Sequence, residues 1–201
     1  MGLTVAKIDG RVTDKVLSLW KSKGKTTVLK TTGLSMMPTI EPGDEVVLRH
    51  IEGDEIRRGD LVTFKVGPEI VTHRIIKRIE TDGKVSLLQK GDSGPRSFPL
   101  PAECVVGKVI EIRLKSGRDA IPMTGLLARS FAQLVALLEL LFAGPIRSLS
   151  DALNKRKQAG KPKGLASFCY RNALRLRSRT IRPLLKAMRL LCRRRIKREN
   201  L

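Results

Sequence analysis

Gly33-Leu34-Ser35-Met36-Met37-Pro38-Thr39-Ile40-Glu41-Pro42-Gly43-Asp44 leads directly into Glu45-Val46-Val47-Leu48. A proline three residues past the serine ends any local helix. Pro42-Gly43 makes a turn, and residues 45–48 run off as a short strand. A serine is therefore held among apolar neighbours at a strand edge, ahead of a rigid turn that fixes where its hydroxyl points. Two residues of matching chemistry follow at other strand ends: His73 in Val71-Thr72-His73-Arg74-Ile75-Ile76 and Asp92 in Gln89-Lys90-Gly91-Asp92. In that order the three supply a nucleophile, a general base and an orienting anion. Asp44 and Asp60 each follow a glycine and read first as turn formers. Asp44 is the second candidate carboxylate, because it lies close to Ser35 in sequence.

Outward from this stretch the pattern is strands and turns. Residues 26–31, 45–49, 61–66, 70–80, 84–89 and 104–114 alternate or run apolar and are rich in β-branched side chains. Gly-Asp or Asp-Gly steps punctuate them, and Thr81-Asp82-Gly83-Lys84 predicts a hairpin turn. Pro95, Pro99 and Pro101 predict an extended, unpaired segment after Asp92. The fold class expected is mainly β: a small antiparallel domain followed by C-terminal α-helices.

Five pieces of the chain resemble the type I signal peptidases, in the order that family has them. They are Gly-Leu-Ser-Met-Met-Pro-Thr at 33–39, Arg-Arg-Gly-Asp-Leu-Val-Thr-Phe at 57–64, Thr-His-Arg-Ile-Ile at 72–76, Lys-Gly-Asp at 90–92 and Val-Val-Gly-Lys-Val at 105–109. Bacterial-type members have a lysine where this chain has His73, so the resemblance is to the archaeal and endoplasmic-reticulum branch. It stops near residue 115. It implies the β fold shared by signal peptidases and LexA-like repressors, and Ser35, His73 and Asp92 as catalytic residues. It also implies a peptide or preprotein substrate, extended beside a strand and cleaved after small side chains. The backbone N–H of Ser35 is the natural oxyanion donor. Gly33 stands where the family commonly adds a hydroxyl, with Thr32 next to it. Leu34, Met36 and Met37 are candidates for the substrate-binding rim.

Charge divides the chain differently. Of 40 Lys and Arg residues, 18 lie after residue 143, against only 2 of the 19 acidic ones, so the net charge of +21 belongs largely to the tail. Residues 1–24 are polar, with no apolar run to act as a signal or anchor. Asp14 to Ser22 suits two turns of helix, with Thr13 as cap and Val16, Leu17 and Trp20 on one face. Residues 25–118 make the peptidase-like domain. Residues 121–146 predict an apolar helix opened by Pro122 and closed by Gly144-Pro145, long enough to cross a bilayer. Along it Arg129, Ala132, Ala136, Glu139 and Ala143 form a narrow small-or-polar stripe. Residues 147–201 begin as a basic linker and end in an amphipathic helix, with Ile181, Leu184, Leu185, Met188, Leu191 and Cys192 on one face and Arg182, Lys186, Arg189 and Arg193 on the other. That helix predicts an anionic membrane surface as partner, ahead of nucleic acid, since base-stacking aromatics are missing from it.

No metal or cofactor is expected, because neither a His/Cys/acidic cluster nor a Gly-rich phosphate loop is present in the sequence. Cys104, Cys169 and Cys192 are an odd number without close spacing, which predicts neither a zinc site nor a disulfide framework. The function expected is a membrane-associated serine endopeptidase acting on signal or leader peptides, with the side of the membrane left open. The alternatives are a cytosolic self- or leader-processing peptidase of the LexA type, and a non-catalytic peptidase-like module.

Overall fold

The computed structural model describes residues 19–67, 69–158 and 164–195. Of the N-terminal helix expected at 14–22, residues 19–22 are helical, and the rest lies outside the described residues. Eight strands follow: β1 (Thr26–Lys30), β2 (Glu45–Arg49), β3 (Leu61–Val66), β4 (Glu69–Thr81), β5 (Lys84–Lys90), β6 (Ser97–Pro101), β7 (Val105–Arg113) and β8 (Asp119–Pro122). Two helices, α1 (Leu126–Gln158) and α2 (Gly164–Leu191), come next, and a two-residue strand, β9 (Arg194–Arg195), closes the series. All pairings are antiparallel, in the order β1-β2-β7-β3-β4-β5-β6, with β8 on the far part of β7 and β9 on β8.

Alternation along the strands builds two cores. In β3, Leu61 faces a cluster with Met36, Ile40, Val46, Leu48 and Ile112, whereas Val62 and Phe64 face one with Ile56, Ile75, Leu87 and Val105. Both faces of this central strand are therefore dry. The β4–β5 hairpin turns at Asp82 and Gly83, whose φ values of +51° and +71° fit the turn predicted there.

The structure departs from expectation in three places. Residues 97–101 are not unpaired: they form β6 against β5, in the register Leu88↔Pro99 and Ser86↔Pro101. A strand at the sheet's edge tolerates proline because one row of its backbone groups needs no ladder partner. Pro122 does not open a helix but ends β8. Helix α1 begins at Leu126 and runs through Gly144-Pro145 to Gln158. A proline forfeits one intrahelical bond, yet tertiary packing carries this helix on: Ile146, one residue later, is buried.

The third departure concerns α2. Most of its apolar face is spent inside the protein, although Leu191 stays exposed. Ile181 and Leu185 pack with Val135 of α1, and Met188 enters the β core beside Met36 and Ile40. Part of the basic face is likewise taken up internally, with Arg189 on Asp44 and Arg193 on Asp119, and Arg194 of β9 pairs with Glu111. The small stripe of α1 is what lets the hairpin of helices close on the sheet. Gly59, at φ +90°, comes so near that a Cβ there would lie 3.0 Å from the Ala132 backbone. Ala132 and Ala136 are both buried.

Candidate active site

The loop from Gly33 to Asp44 is tied down at both ends. The hydroxyl of Thr31 donates to the carbonyls of Glu41 and Asp44, and the Asp44 carboxylate accepts from the backbone N–H groups of Glu41 and Lys115 and from Arg189. Burial pushes the Asp44 carboxyl up, but the Arg189 guanidinium and the two backbone donors outweigh it and hold it below its ordinary range. Asp44 is thus a fastening of the serine loop and stands apart from the histidine.

His73 projects from β4, and its Nε2 lies 3.0 Å from Ser35 Oγ. Its Nδ1 is 2.5 Å from the Oε1 of Gln89 on β5. With the Ser35 hydroxyl donating to Nε2, Nδ1 carries the ring proton and donates it to the Gln89 amide oxygen. Phe64 meets the imidazole edge-on at 5.9 Å between centroids. Burial lowers the His73 pKa from its ordinary value, and Lys90 adds to this, while the Gln89 hydrogen bond and the Asp92 charge oppose it. The ring is accordingly a neutral base near pH 7.

Asp92 does not touch His73. Its carboxylate is held bidentate by Arg74, with Nε to Oδ1 at 2.9 Å and Nη2 to Oδ2 at 2.8 Å, and it also accepts from the Thr39 hydroxyl. The reason is strand parity. Arg74 faces Lys90 and Ile75 faces Gln89 in the β4–β5 register. Side chains alternate, so Gln89 shares the face of Ile75 and His73, while Lys90 and Asp92 share that of Arg74. Arg74 and Asp92 are both almost wholly buried. The chemically natural third residue is therefore on the wrong side of the hairpin, and a neutral amide stands in its place.

Beside the pair opens a cleft of about 600 Å³, lined by Leu29 to Gly33, Ser35, Met36 and Ile40 on one side and Glu69 to Thr72 on the other. Of the residues expected at the substrate rim, Gly33 and Met36 line it, Met36 doubling as core. Leu34, 64 % exposed, and Met37 are at the surface and take no part in the lining. The outer edge of β1 borders the cleft, and among the described residues β1 pairs with β2 alone. Its free backbone groups there offer an extended peptide a ladder. The other histidine, His50, is structural: it is buried between the Thr27 hydroxyl and the Val106 carbonyl, with Trp20 packed on it at 5.1 Å between centroids. Among the described residues, no group of three His, Cys, Asp or Glu side chains gathers to hold a metal ion.

An antiparallel β domain that brings a serine against a histidine beside an edge strand defines a peptidase-type fold of the signal-peptidase and LexA kind. The chain belongs to the Peptidase S24-like family, whose model matches residues 3–110. It is similar to the signal peptidase complex catalytic subunit SEC11C of Homo sapiens, Canis lupus familiaris and Mus musculus, at 33% identity over 90 residues in each case. Those matches cover 41% of this chain and 47% of each relative, so the chain spans about half the length of the curated relatives it matches. The resemblance read from the five motifs is to the same branch. Both helices lie beyond the residues that the family accounts for.

Proposed function

We propose that the protein is a serine endopeptidase that cleaves signal-like or leader peptides after small residues. The observation that carries this reading is the 3.0 Å contact between Ser35 Oγ and His73 Nε2 at the mouth of the cleft. His73 takes the proton as Ser35 attacks the peptide carbonyl, then returns it to the leaving amine. Gln89 holds the tautomer that leaves Nε2 free to accept, a part for which the sequence suggests Asp92. Asp92 acts one step back, tying Thr39 of the serine loop to Arg74 of β4. The Ser35 backbone N–H serves as oxyanion donor, and the edge of β1 takes the substrate as an added strand.

The test is cleavage of a peptide carrying an apolar run followed by small residues, measured as a function of pH. Only the neutral imidazole accepts a proton, so kcat/KM rises as His73 loses its charge. Since burial lowers the His73 pKa, the midpoint of that rise is expected below the ordinary 6.5. A rise centred well above 7 would argue against His73 as the base. Cleavage confined to the chain's own backbone would favour the self-processing alternative.

Membrane association is proposed for α1 rather than α2. Helix α1 is long and apolar enough to cross a bilayer, and Leu126, Leu134, Leu137 and Leu141 are exposed on it. Exposed leucines in such a row support contact with acyl chains, and the unpaired part of the tail's positive charge favours anionic headgroups. In flotation with vesicles containing anionic lipid, the full chain is expected to rise with the lipid. Leu137→Glu with Leu141→Glu is expected to stay at the bottom. Equal flotation of both proteins would remove α1 from this role.

A further inference from the structure

Glu139 is a carboxylate in the middle of the apolar helix α1, and it is almost wholly buried. It meets two cations that come from different elements. Lys90, at the end of β5, reaches its Oε1 at 2.9 Å, and Arg177 of α2 donates from Nε to Oε2 at 2.8 Å and from Nη2 to Oε1 at 2.5 Å. Burying three charges is costly unless each also satisfies its remaining hydrogen-bonding groups. Here the other hydrogen bonds recorded for the two cations go to one short strap, residues 91–94. Lys90 Nζ donates to the carbonyls of Gly91 and Gly94, and Arg177 Nη2 donates to that of Asp92 at 3.1 Å.

That strap lies directly on the reacting residues. The Ser93 N–H and hydroxyl both donate to the Ser35 carbonyl, at 2.9 and 3.0 Å. A Cβ added to Gly91 would stand 2.7 Å from that carbonyl and 3.2 Å from His73 Nε2. The peptide plane carrying Ser35 is thus pinned by a strap whose carbonyls are held by two cations. Both cations are gathered by a single carboxylate.

We propose that Glu139, Lys90 and Arg177 form a positioning clamp, through which the two C-terminal helices set the place of the strap and hence the alignment of Ser35 with His73. The clamp touches no substrate; its residues act through residues 91–94. It rests on the reading of Ser35 and His73 as the catalytic pair. It assigns to α1 and α2, which the family leaves unaccounted for, a part in catalysis.

The experiment compares full-length wild type, Arg177→Met, Glu139→Gln and Leu185→Ala. Leu185 packs between the same two helices but makes no bond to the strap, so it controls for plain loosening of the hairpin. Hydrogen exchange at Ser93 and peptide cleavage are measured under conditions where all four are folded by circular dichroism. In Arg177→Met and Glu139→Gln, exchange at Ser93 is expected to quicken about tenfold as the strap opens locally. Their kcat is expected to fall by up to about 10²-fold with KM little changed, as for an ångström-scale misplacement of a reacting group. Leu185→Ala is expected to leave both near wild type. Unchanged exchange in Arg177→Met, faster exchange with unchanged kcat, or an equal kcat loss in Leu185→Ala would each overturn the clamp. A wild type with no Ser35-dependent cleavage would defeat the peptidase reading instead, and the exchange at Ser93 would still decide whether the clamp holds the strap.

Discussion

Replacing Ser35 by alanine is expected to abolish peptide cleavage, and replacing His73 by alanine is expected to do nearly the same. Loss of the nucleophile or base of a serine hydrolase costs on the order of 10⁶ in kcat, because neither partner works without the other. The double variant should then be no worse than either single one. Neither change should unfold the protein, since the Ser35 side chain is exposed and His73 belongs to no core cluster. Gln89→Ala is expected to be milder, about 10²-fold, because it frees the imidazole tautomer without removing a reacting atom. Burst kinetics and steady-state turnover on the same peptide measure all four. Turnover in His73→Ala within tenfold of wild type would show that another group takes the proton.

The largest effect on stability is expected at Arg74. Its guanidinium is fully buried and holds Asp92 through two bonds, the Gly59 carbonyl through a third and the Thr39 hydroxyl through a fourth. Arg74→Ala leaves the Asp92 carboxylate buried without its cation, which costs about 3–5 kcal/mol, a large part of what holds a domain of this size together. Urea unfolding should show the midpoint displaced accordingly. Asp92→Asn strands the charge on the other side and should also destabilise strongly. In that variant, cleavage measured on the folded fraction should survive better than in Ser35→Ala. Wild-type stability in Arg74→Ala would mean that the bidentate pair is not what fastens the serine loop to β4.

Much of this site was legible in the sequence because its elements are local. Ser35 sits in a stretch whose prolines and glycine dictate a turn, and His73 lies on a strand with clear alternation. The strand bounds at 45–49 and 61–66 agree because β-branched runs between Gly-Asp steps leave little freedom. Gln89 was missed because a neutral amide carries no chemical flag, whereas Asp92 carries a strong one. A regular count across the Thr81–Lys84 turn points the wrong way: pairing outward from Thr81 and Lys84 without a break puts His73 opposite Asp92 and Ile75 opposite Lys90. The register slips between Ile75 and Lys77, however, so that Ile75 faces Gln89 and not the residue a regular count gives. That bulge depends on tertiary packing and leaves no mark in the local pattern.

The C-terminal half was harder to read for a related reason. An amphipathic helix shows that one face will be covered, not what covers it. Ile181, Leu185 and Met188 carry the pattern of a lipid-facing helix and the pattern of a helix packed on a protein core alike. The charges gave a similar ambiguity, since Arg177 and Arg189 look like members of a diffuse basic tail until Glu139 and Asp44 are seen opposite them. Glu139 itself was the available clue. A lone carboxylate among leucines demands a cation, and the tail holds most of the unmatched ones.

The packing of Trp20 against His50 gives the molecule an optical handle. Trp20 is the sole tryptophan of the chain, so all indole emission comes from one place. His50 joins that place to β1 through Thr27 and to β7 through Val106. The colour and intensity of the emission therefore register whether the first strand is still seated on the sheet, at the border of the cleft. On the proposed reading, a peptide entering along β1 alters the surroundings of the very strand that carries this link. Binding can then be followed by light alone, without labelling the protein or its ligand.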